Sequence, residues 1–590
     1  MIWVAPPDRG WIRRLGPLLA THRHRLTWSI LTAIGAMCLG VTIPLILRSA
    51  IDNALDERTR ALWPLVALLI AVGLVRSILT FAYRYGLYTT AFRLEFQMRT
   101  MLQDHLSRLS FAFFDRVQSG QIISRANSDI RSIQMFFAFA PMMAVQLLSF
   151  TLALVIMFRI DVVLTLVALT PMPFIFMAGQ RLRNIMFPQS WIVQGRMAEV
   201  ATVVDENVNG VRVVKSFAAE RRQIKALARA AQRLKWANLE MQRGRANHNP
   251  IIENLPRLGL AMVLLYGGLK VIDEQLTIGD LVAFNVYIVV LQTPFRFLGM
   301  IIMLAQRAKA SAGRIFEVLD EAPSVVERPG AFDLVEAEGR IVFENVSFSY
   351  GAETIGGATI DDPVRVLHDL SLTIEPGERV AIVGPTGSGK STIPRLLLRF
   401  YDVASGAVQI DGTDIRDVTM SSLRNTIGLV PDEPFLFSAS LHDNIAYARP
   451  TATRSEVIEA ARAARAHDFI CALEDGYDTE VGERGYDLSG GQRQRITIAR
   501  VLLANPPIVV LDDATSAIDV QVEADIHAGL ENLLSNRTTI VIAHRLSTIA
   551  LADRVILIDD GEVVAVGTHR DLLKSEPRYR AVLDSEIEAL

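Results

Sequence analysis

The chain has 590 residues, of which 51% are hydrophobic and 21% charged, with a formal net charge of -3. That length is too great for one compact core, and the near-neutral charge argues against nucleic acid as a partner. High apolar content beside many charges fits a membrane half joined to a water-soluble half. Of the 60 basic residues, 53 are Arg and 7 are Lys, a bias that reads as the codon usage of a high-GC genome. Cys38 and Cys471 supply neither a disulfide framework nor a metal-ligand spacing. Met1 to Pro7 lack a basic region followed by an apolar core, so no removable signal peptide is expected.

Six apolar runs follow, near 26–51, 62–86, 136–158, 160–180, 255–273 and 281–305. Each approaches or exceeds the roughly 20 residues that cross about 30 Å of hydrocarbon. The connections after runs one, three and five are short, whereas 87–135 and 181–254 are long. The first long one carries Arg93, Arg99, Arg108, Arg116, Arg125 and Arg131, and the amino-terminal stretch carries Arg9, Arg13, Arg14, Arg23 and Arg25. Positive residues stay inside, so both termini and both long loops are expected in the cytoplasm. From Gln180 to Arg257 apolar residues recur at helical spacing, with Pro188 the one proline between Phe187 and Asn249. The spanning helices are therefore expected to continue far beyond the membrane. Arg76 and Arg84 are charges inside run two, and they either snorkel and pair within the bundle or contact substrate or a gate. Met300, Met303, Phe295 and Phe297 near run six either pack and face lipid or line a plastic cavity.

At 306–340 the character changes, with Glu317, Asp320, Glu321, Pro323, Pro329 and Gly330 marking a linker. Short strand-like runs then alternate with turns, at Arg340–Tyr350, Val366–Ile374, Arg379–Val383 and Val408–Ile410. The expected organisation is a helical membrane domain over 1–320, a linker over 321–338 and a soluble α/β domain over 339–590. The expected fold class is multidomain: six transmembrane helices with long cytoplasmic extensions, joined to an α/β domain that the glycine-rich residues 384–391 mark as a P-loop NTPase.

The strongest motif runs Gly384, Pro385, Thr386, Gly387, Ser388, Gly389, Lys390, Ser391. It fits G-x-x-x-x-G-K-[ST] and lies between a β-prone run and the helix-like Ser391–Phe400, the context a P-loop requires. Backbone N–H groups there face phosphates, Lys390 neutralises β/γ oxygens, and the Ser391 hydroxyl binds Mg²⁺. Thr392 extends the site, and Pro394 removes a backbone donor early in the helix. Ile508–Leu511 reads as a buried strand ending in Asp512, a candidate Mg²⁺ ligand. Asp513 occupies the position of the base that polarises water, and His544 closes the apolar strand Thr539–Ala543, within reach of the γ-phosphate. Ser489 and Gln492 form S-x-x-Q, a capping-box pattern, around Gly490 and Gly491, which let an anion approach a helix N-terminus.

Leu488-Ser-Gly-Gly-Gln492 resembles the signature of ATP-binding cassette (ABC) proteins, and the whole chain resembles a half-size ABC exporter. The resemblance implies two ATP molecules sandwiched between two such domains, each signature completing the other subunit's site. It implies that Tyr350 stacks on adenine and that Ser516-Ala-Ile-Asp519 continues the site, with Asp519 near the nucleotide. Glu483-Arg-Gly485 resembles the motif that touches the membrane-domain loops. Phe113-Phe-Asp115 with Gly120 and Ser124-Arg125, and Gly210 to Lys215, resemble the family's coupling regions.

Two positions depart from the family. Glu is usual where Asp513 stands, and Asp is one methylene shorter, by roughly 1.5 Å. Misplacement by about 1 Å can cost on the order of 10²-fold in rate. Gln is usual where Asp432 stands, in Val430-Pro-Asp-Glu-Pro434; Asp432 can still ligate Mg²⁺ but adds negative charge beside the phosphates. With the signature intact, the expectation is a subunit whose own site hydrolyses poorly, paired with a different half-transporter. The expected activity is ATP- and Mg²⁺-dependent export of a hydrophobic or amphipathic small molecule, drug or lipid, across the cytoplasmic membrane. Alternatives are an exporter-shaped importer of, for example, a metal chelate, a homodimeric exporter, and a membrane sensor that binds ATP without transport.

Overall fold

The computed structural model describes residues 10–57, 59–351, 364–482, 485, 487–512, 534, 536–543 and 545–588. The chain divides into two compact units: residues 1–106 with 120–320, and residues 107–119 with 321–590.

The first unit is helical. Two short helices, α1 (Trp11–Arg14) and α2 (Gly16–Ala20), precede α3 (Arg23–Ser49), which continues as a π-helical turn to Asp56. Then come α4 (Leu62–Leu106), and, beyond α5 (Phe111–Arg116) of the second unit, α6 (Ser119–Ser124), α7 (Ile130–Ile160), α8 (Val162–Leu169) and α9 (Pro171–Asn209). The unit ends with α10 (Val211–Ser216), α11 (Glu220–Ile272) and α12 (Ile278–Asp320). Among the described residues, six helical stretches are long and apolar enough to cross a membrane. At about 1.5 Å per residue, the 45 residues of α4 span about 68 Å, far more than a bilayer's hydrocarbon.

Local chemistry places the breaks. Asp161 caps α8 by accepting from the Leu164 N–H at 2.6 Å, and it also meets Lys270. The helical spacing from Gln180 to Arg257 resolves into α9 and α11, with the reversal at Gly210 and at Ala218, whose φ is +46°. Side chains tie distant helices. The Tyr287 hydroxyl donates to the Val41 carbonyl at 2.7 Å, inside a buried cluster with Met157, Leu164 and Phe284. The Arg14 guanidinium pairs with Asp320 and lies 3.9 Å from the Phe316 ring centre.

The second unit holds two sheets. An antiparallel one runs β2-β1-β4-β5, from β1 (Ile341–Tyr350), β2 (Val364–Ile374), β4 (Ser405–Ile410) and β5 (Thr413–Asp414). The other runs β10-β9-β3-β8-β7-β6, from β3 (Arg379–Val383), β6 (Ile427–Val430), β7 (Ile508–Asp512), β8 (Thr538–Ile542), β9 (Arg554–Asp559) and β10 (Glu562–Gly567). It is parallel except for β10. Its central strands are mostly apolar and buried on both faces, as parallel strands require. One face packs on α13 (Thr392–Leu397), beside the antiparallel sheet; α14 (Met420–Thr426) leads into β6. The other face packs on α15 (Leu441–Ala446), α16 (Arg454–Ala463), α17 (His467–Cys471) and α18 (Gly490–Ala504). On α18, Ile496, Ile498, Val501 and Leu503 are buried, each contributing about 1.5–3 kcal/mol. Pro394 is the third residue of α13, where a backbone N–H has no intrahelical acceptor, so the helix loses nothing there.

Candidate nucleotide-binding site

Strand register assembles the site. Ile542 of β8 pairs with Ile382 of β3 on one side and with Asp512 of β7 on the other. Leu511 pairs with Val430 of β6. Gly384, Asp432 and Asp512 therefore emerge at one carboxyl edge of the sheet, where ligands bind in open α/β folds. Asp513, His544 and Asp519 lie outside the described residues, as do Glu483, Arg484 and the stretch from Ser516 to Ile518.

The loop after β3 is shaped by close approach. A Cβ on Gly384 would sit 1.9 Å from the Ile558 carbonyl oxygen, so no larger residue fits there. Gly389 has φ +98°, and a Cβ would lie 2.7 Å from Leu367. Pro385, Thr386 and Gly387 form an exposed tip, while Ser388 and Lys390 are buried. The Lys390 ammonium donates to the carbonyls of Gly384 at 2.6 Å and Pro385 at 2.8 Å, so it bridges the loop. Among the described residues the buried Ser388 hydroxyl has no hydrogen-bond partner. A cradle with positive-φ glycines, a buried ammonium and an orphan hydroxyl suits a polyphosphate. Ser391, Asp432 and Asp512 offer only oxygen donors, the set that Mg²⁺ prefers.

Tyr350 ends β1 beside this loop. Its hydroxyl is 3.2 Å from that of buried Thr392, and the Arg395 guanidinium donates to it at 3.4 Å. Burial works against the Arg395 charge, but the oxygens of Tyr350, Tyr401 and Asp115 outweigh it and hold its pKa above the usual value.

Ser489 caps α18 on the opposite side of the sheet's helical layer. Its hydroxyl accepts from the Gln492 N–H at 3.2 Å, and the Gln492 side chain accepts from the Ser489 N–H at 2.8 Å. Arg493 fastens the preceding turn by donating to the carbonyls of Gly485 and Leu488. Among the described residues no hydrogen bond joins Ser489, Gly490, Gly491 or Gln492 to the P-loop, so these two parts of the sequence pattern stay separate within one chain.

The structure seats a stretch that the sequence flagged only by resemblance, Phe113-Phe-Asp115. Helix α5, though it lies far upstream, packs into the ATP-binding unit. Phe111 stacks on Phe400 with ring centres 4.0 Å apart, the Ser110 hydroxyl accepts from the Val325 N–H at 3.0 Å, and Arg116 pairs with Glu321. The Tyr401 hydroxyl donates to the Asp115 carboxylate. Burial first, and then Asp115, push the Tyr401 phenol well above its usual pKa. The Tyr350 and Tyr401 rings meet edge to face at 5.4 Å. A continuous path of side chains thus runs from Thr392 through Tyr350 and Tyr401 to α5. The sequence signal was the resemblance of Phe113-Phe-Asp115 to a coupling region, which did not name Phe400 and Tyr401 as its seat.

Residues 26–295 match the ABC transporter transmembrane region, and residues 367–516 match the ABC transporter domain. A putative multidrug export ATP-binding/permease protein of Staphylococcus aureus is 38% identical over 581 residues, covering 96% of this chain and 98% of that one. An uncharacterized ABC transporter ATP-binding protein of Bacillus subtilis is 34% identical, covering 97% of each. A multidrug efflux ATP-binding/permease protein of Mycobacterium bovis is 37% identical over 97% of this chain, which spans only 47% of that relative. The solved structure of a bacterial Atm1-family ABC exporter with ATP bound superposes with a TM-score of 0.74, at 30% identity, covering 96% of this chain and 99% of that one.

Proposed function

The chain belongs to the ABC transporter family as a half-size exporter, a multi-pass membrane ATPase that works as a dimer, and from that premise we propose that it is the weakly hydrolysing subunit of a heterodimer. The observation that carries this reading is a contrast within one domain. The Ser489–Gln492 capping box is fully formed, whereas Asp stands at 513 and 432, where the family has Glu and Gln. This chain's P-loop would hold ATP through Lys390, Ser388 and the loop amides, with adenine on Tyr350. Ser391, Asp512 and Asp432 would hold Mg²⁺, which neutralises charge on the phosphate oxygens when bound. Asp513, helped by His544, would polarise water slowly, with Asp519 near the nucleotide. The signature, presented on a helix N-terminus, would complete a faster site on the partner.

The multidrug export in the names of the relatives supports export of a drug-like amphiphile, and we extend the reading to lipid-like ones and to the cytoplasmic membrane, with both termini inside. The arginine-rich long loops support that orientation. Binding of ATP would favour the closed dimer and hydrolysis the open one, a population shift between two states.

The test is ATPase activity of the purified chain, alone and co-expressed with the half-transporter encoded beside it, with Asp513→Gln here and the matching change in the partner. The expected result is a nearly silent chain, an active pair, and loss of turnover only with the partner's substitution. Brisk turnover by the chain alone, abolished by Asp513→Gln, would establish a homodimer. Uptake measured in inside-out vesicles fixes direction, and entry from the opposite face would establish an importer.

A further inference from the structure

We propose that this chain's P-loop site takes guanine nucleotides at least as well as adenine nucleotides, and that Arg395 is the residue that reads the edge of the base. The inference rests on the reading that a nucleobase stacks on Tyr350.

Arg395 is placed for that contact. It lies three residues after Thr392 on α13, so the two share one face of the helix. That face meets Tyr350, whose hydroxyl lies 3.2 Å from the Thr392 hydroxyl and accepts from the Arg395 guanidinium at 3.4 Å. The guanidinium carbon is 6.0 Å from the centre of the Tyr350 ring. Arg395 therefore stands at the hydroxyl end of the ring, beside the place of a stacked base. It is exposed, and among the described residues it makes this one hydrogen bond and no ion pair. A guanidinium carries five N–H donors, and most of them stay available to a ligand. Arg399, four residues on, is the contrast: it is buried and spends its donors on Asp402 and the Val326 carbonyl, as an anchor of the fold.

The chemistry of the base edge then decides the ligand. Stacking on an aromatic ring is indifferent to the base, because every base has a π-face. Guanine presents two acceptors side by side, N7 and O6, which a planar guanidinium grips with two N–H donors. Adenine carries an amino group where guanine has O6, so a donor meets a donor and one of the two bonds is lost. Arg395 thus adds to the stack a contact that favours guanine. A glutamine in its place would match adenine instead, accepting from the N6 amino group and donating to N7.

The test is displacement of a ribose-labelled fluorescent ADP, in the presence of Mg²⁺, from the purified full chain in nanodiscs by ATP, GTP and inosine triphosphate. The expected result is GTP at least as tight as ATP. Inosine triphosphate should follow GTP, because its base keeps N7 and O6 and lacks only the 2-amino group. Arg395→Gln should shift the ratio of GTP to ATP affinity towards ATP on the order of tenfold, and Arg395→Lys should keep part of the guanine preference. Tighter binding of ATP than of GTP by the unaltered chain, which requires no variant to fold, overturns the inference. So does inosine triphosphate behaving like ATP. So does Arg395→Gln weakening every nucleotide alike, which would put the guanidinium on ribose or phosphate. Those three outcomes leave the nucleotide site standing. Displacement by no nucleotide would sink the site, and undiminished binding by Tyr350→Leu would sink the stack; either takes this inference with it.

Discussion

Cutting the hydrogen bond between Tyr401 and Asp115 should free α5 from the ATP-binding unit by an amount that depends on which partner is removed. Tyr401 is 5% exposed, whereas Asp115 faces solvent. Tyr401→Phe keeps the ring and leaves Asp115 to water, so it should cost only the net worth of one bond, about 1 kcal/mol. Asp115→Ala instead strands a buried hydroxyl, which costs about 1–3 kcal/mol. The Phe111–Phe400 stack remains in both and holds roughly 0.5–1.5 kcal/mol, and the part-exposed Arg116–Glu321 pair adds little. Amide hydrogen exchange of residues 111–116 in the assembled dimer reads this directly. Exchange should accelerate about fivefold in Tyr401→Phe and more in Asp115→Ala. Equal and unchanged exchange in both variants would refute the reasoning, because it would mean that the stack alone seats the helix.

Three further outcomes follow from the same unit. Gly384→Ala must push a methyl into the Ile558 carbonyl; strain of about 1–3 kcal/mol and loss of ATP binding are expected, checked by thermal melting and nucleotide titration. Ser489→Ala removes the helix cap, at about 1 kcal/mol, and should lower turnover at the partner's site while ATP affinity at this chain's P-loop stays unchanged. Asp414 resists burial because Arg416 bonds it twice over, through backbone and side chain, which holds its carboxyl below the usual range. Its stabilising contribution is therefore present at neutral pH and lost as pH falls through that lowered value. Asp414→Asn should cost about 1 kcal/mol at pH 7, and denaturation midpoints of variant and parent should converge as pH drops below about 4.

Those parts of the fold that obey a strict local period were legible in the chain. Ile508–Leu511 and Arg379–Val383 read as strands from their largely apolar character, and the S-x-x-Q pattern announced the start of α18, because a cap is a four-residue interaction. The P-loop was legible for the same reason, since eight consecutive residues carry its chemistry. Helix α5 was not legible as part of the ATP-binding unit. Phe113-Phe-Asp115 stood out only by its resemblance to a coupling region; the seat on Phe400 and Tyr401 lies far downstream, and no local signal encodes a contact that distant. Likewise Arg76 was visible as a charge in an apolar run, but only the pairing of α3 with α4 set its guanidinium against Gly40.

The docking of α5 has a consequence for how the molecule is made. Asp115 and Tyr401 are separated by 286 residues. At about 5–20 residues per second of synthesis, the helix leaves the ribosome roughly 15–60 seconds before the surface that receives it exists. During that interval Phe111 has no Phe400 to stack on, and the membrane helices of the first unit are inserting. The ATP-binding unit is therefore not a segment that folds once its own stretch has emerged; it closes over a piece of chain that has been waiting for it. Substitutions that loosen this dock should reduce the yield of assembled transporter by lengthening exposure to quality-control proteases, before any cycle of transport begins.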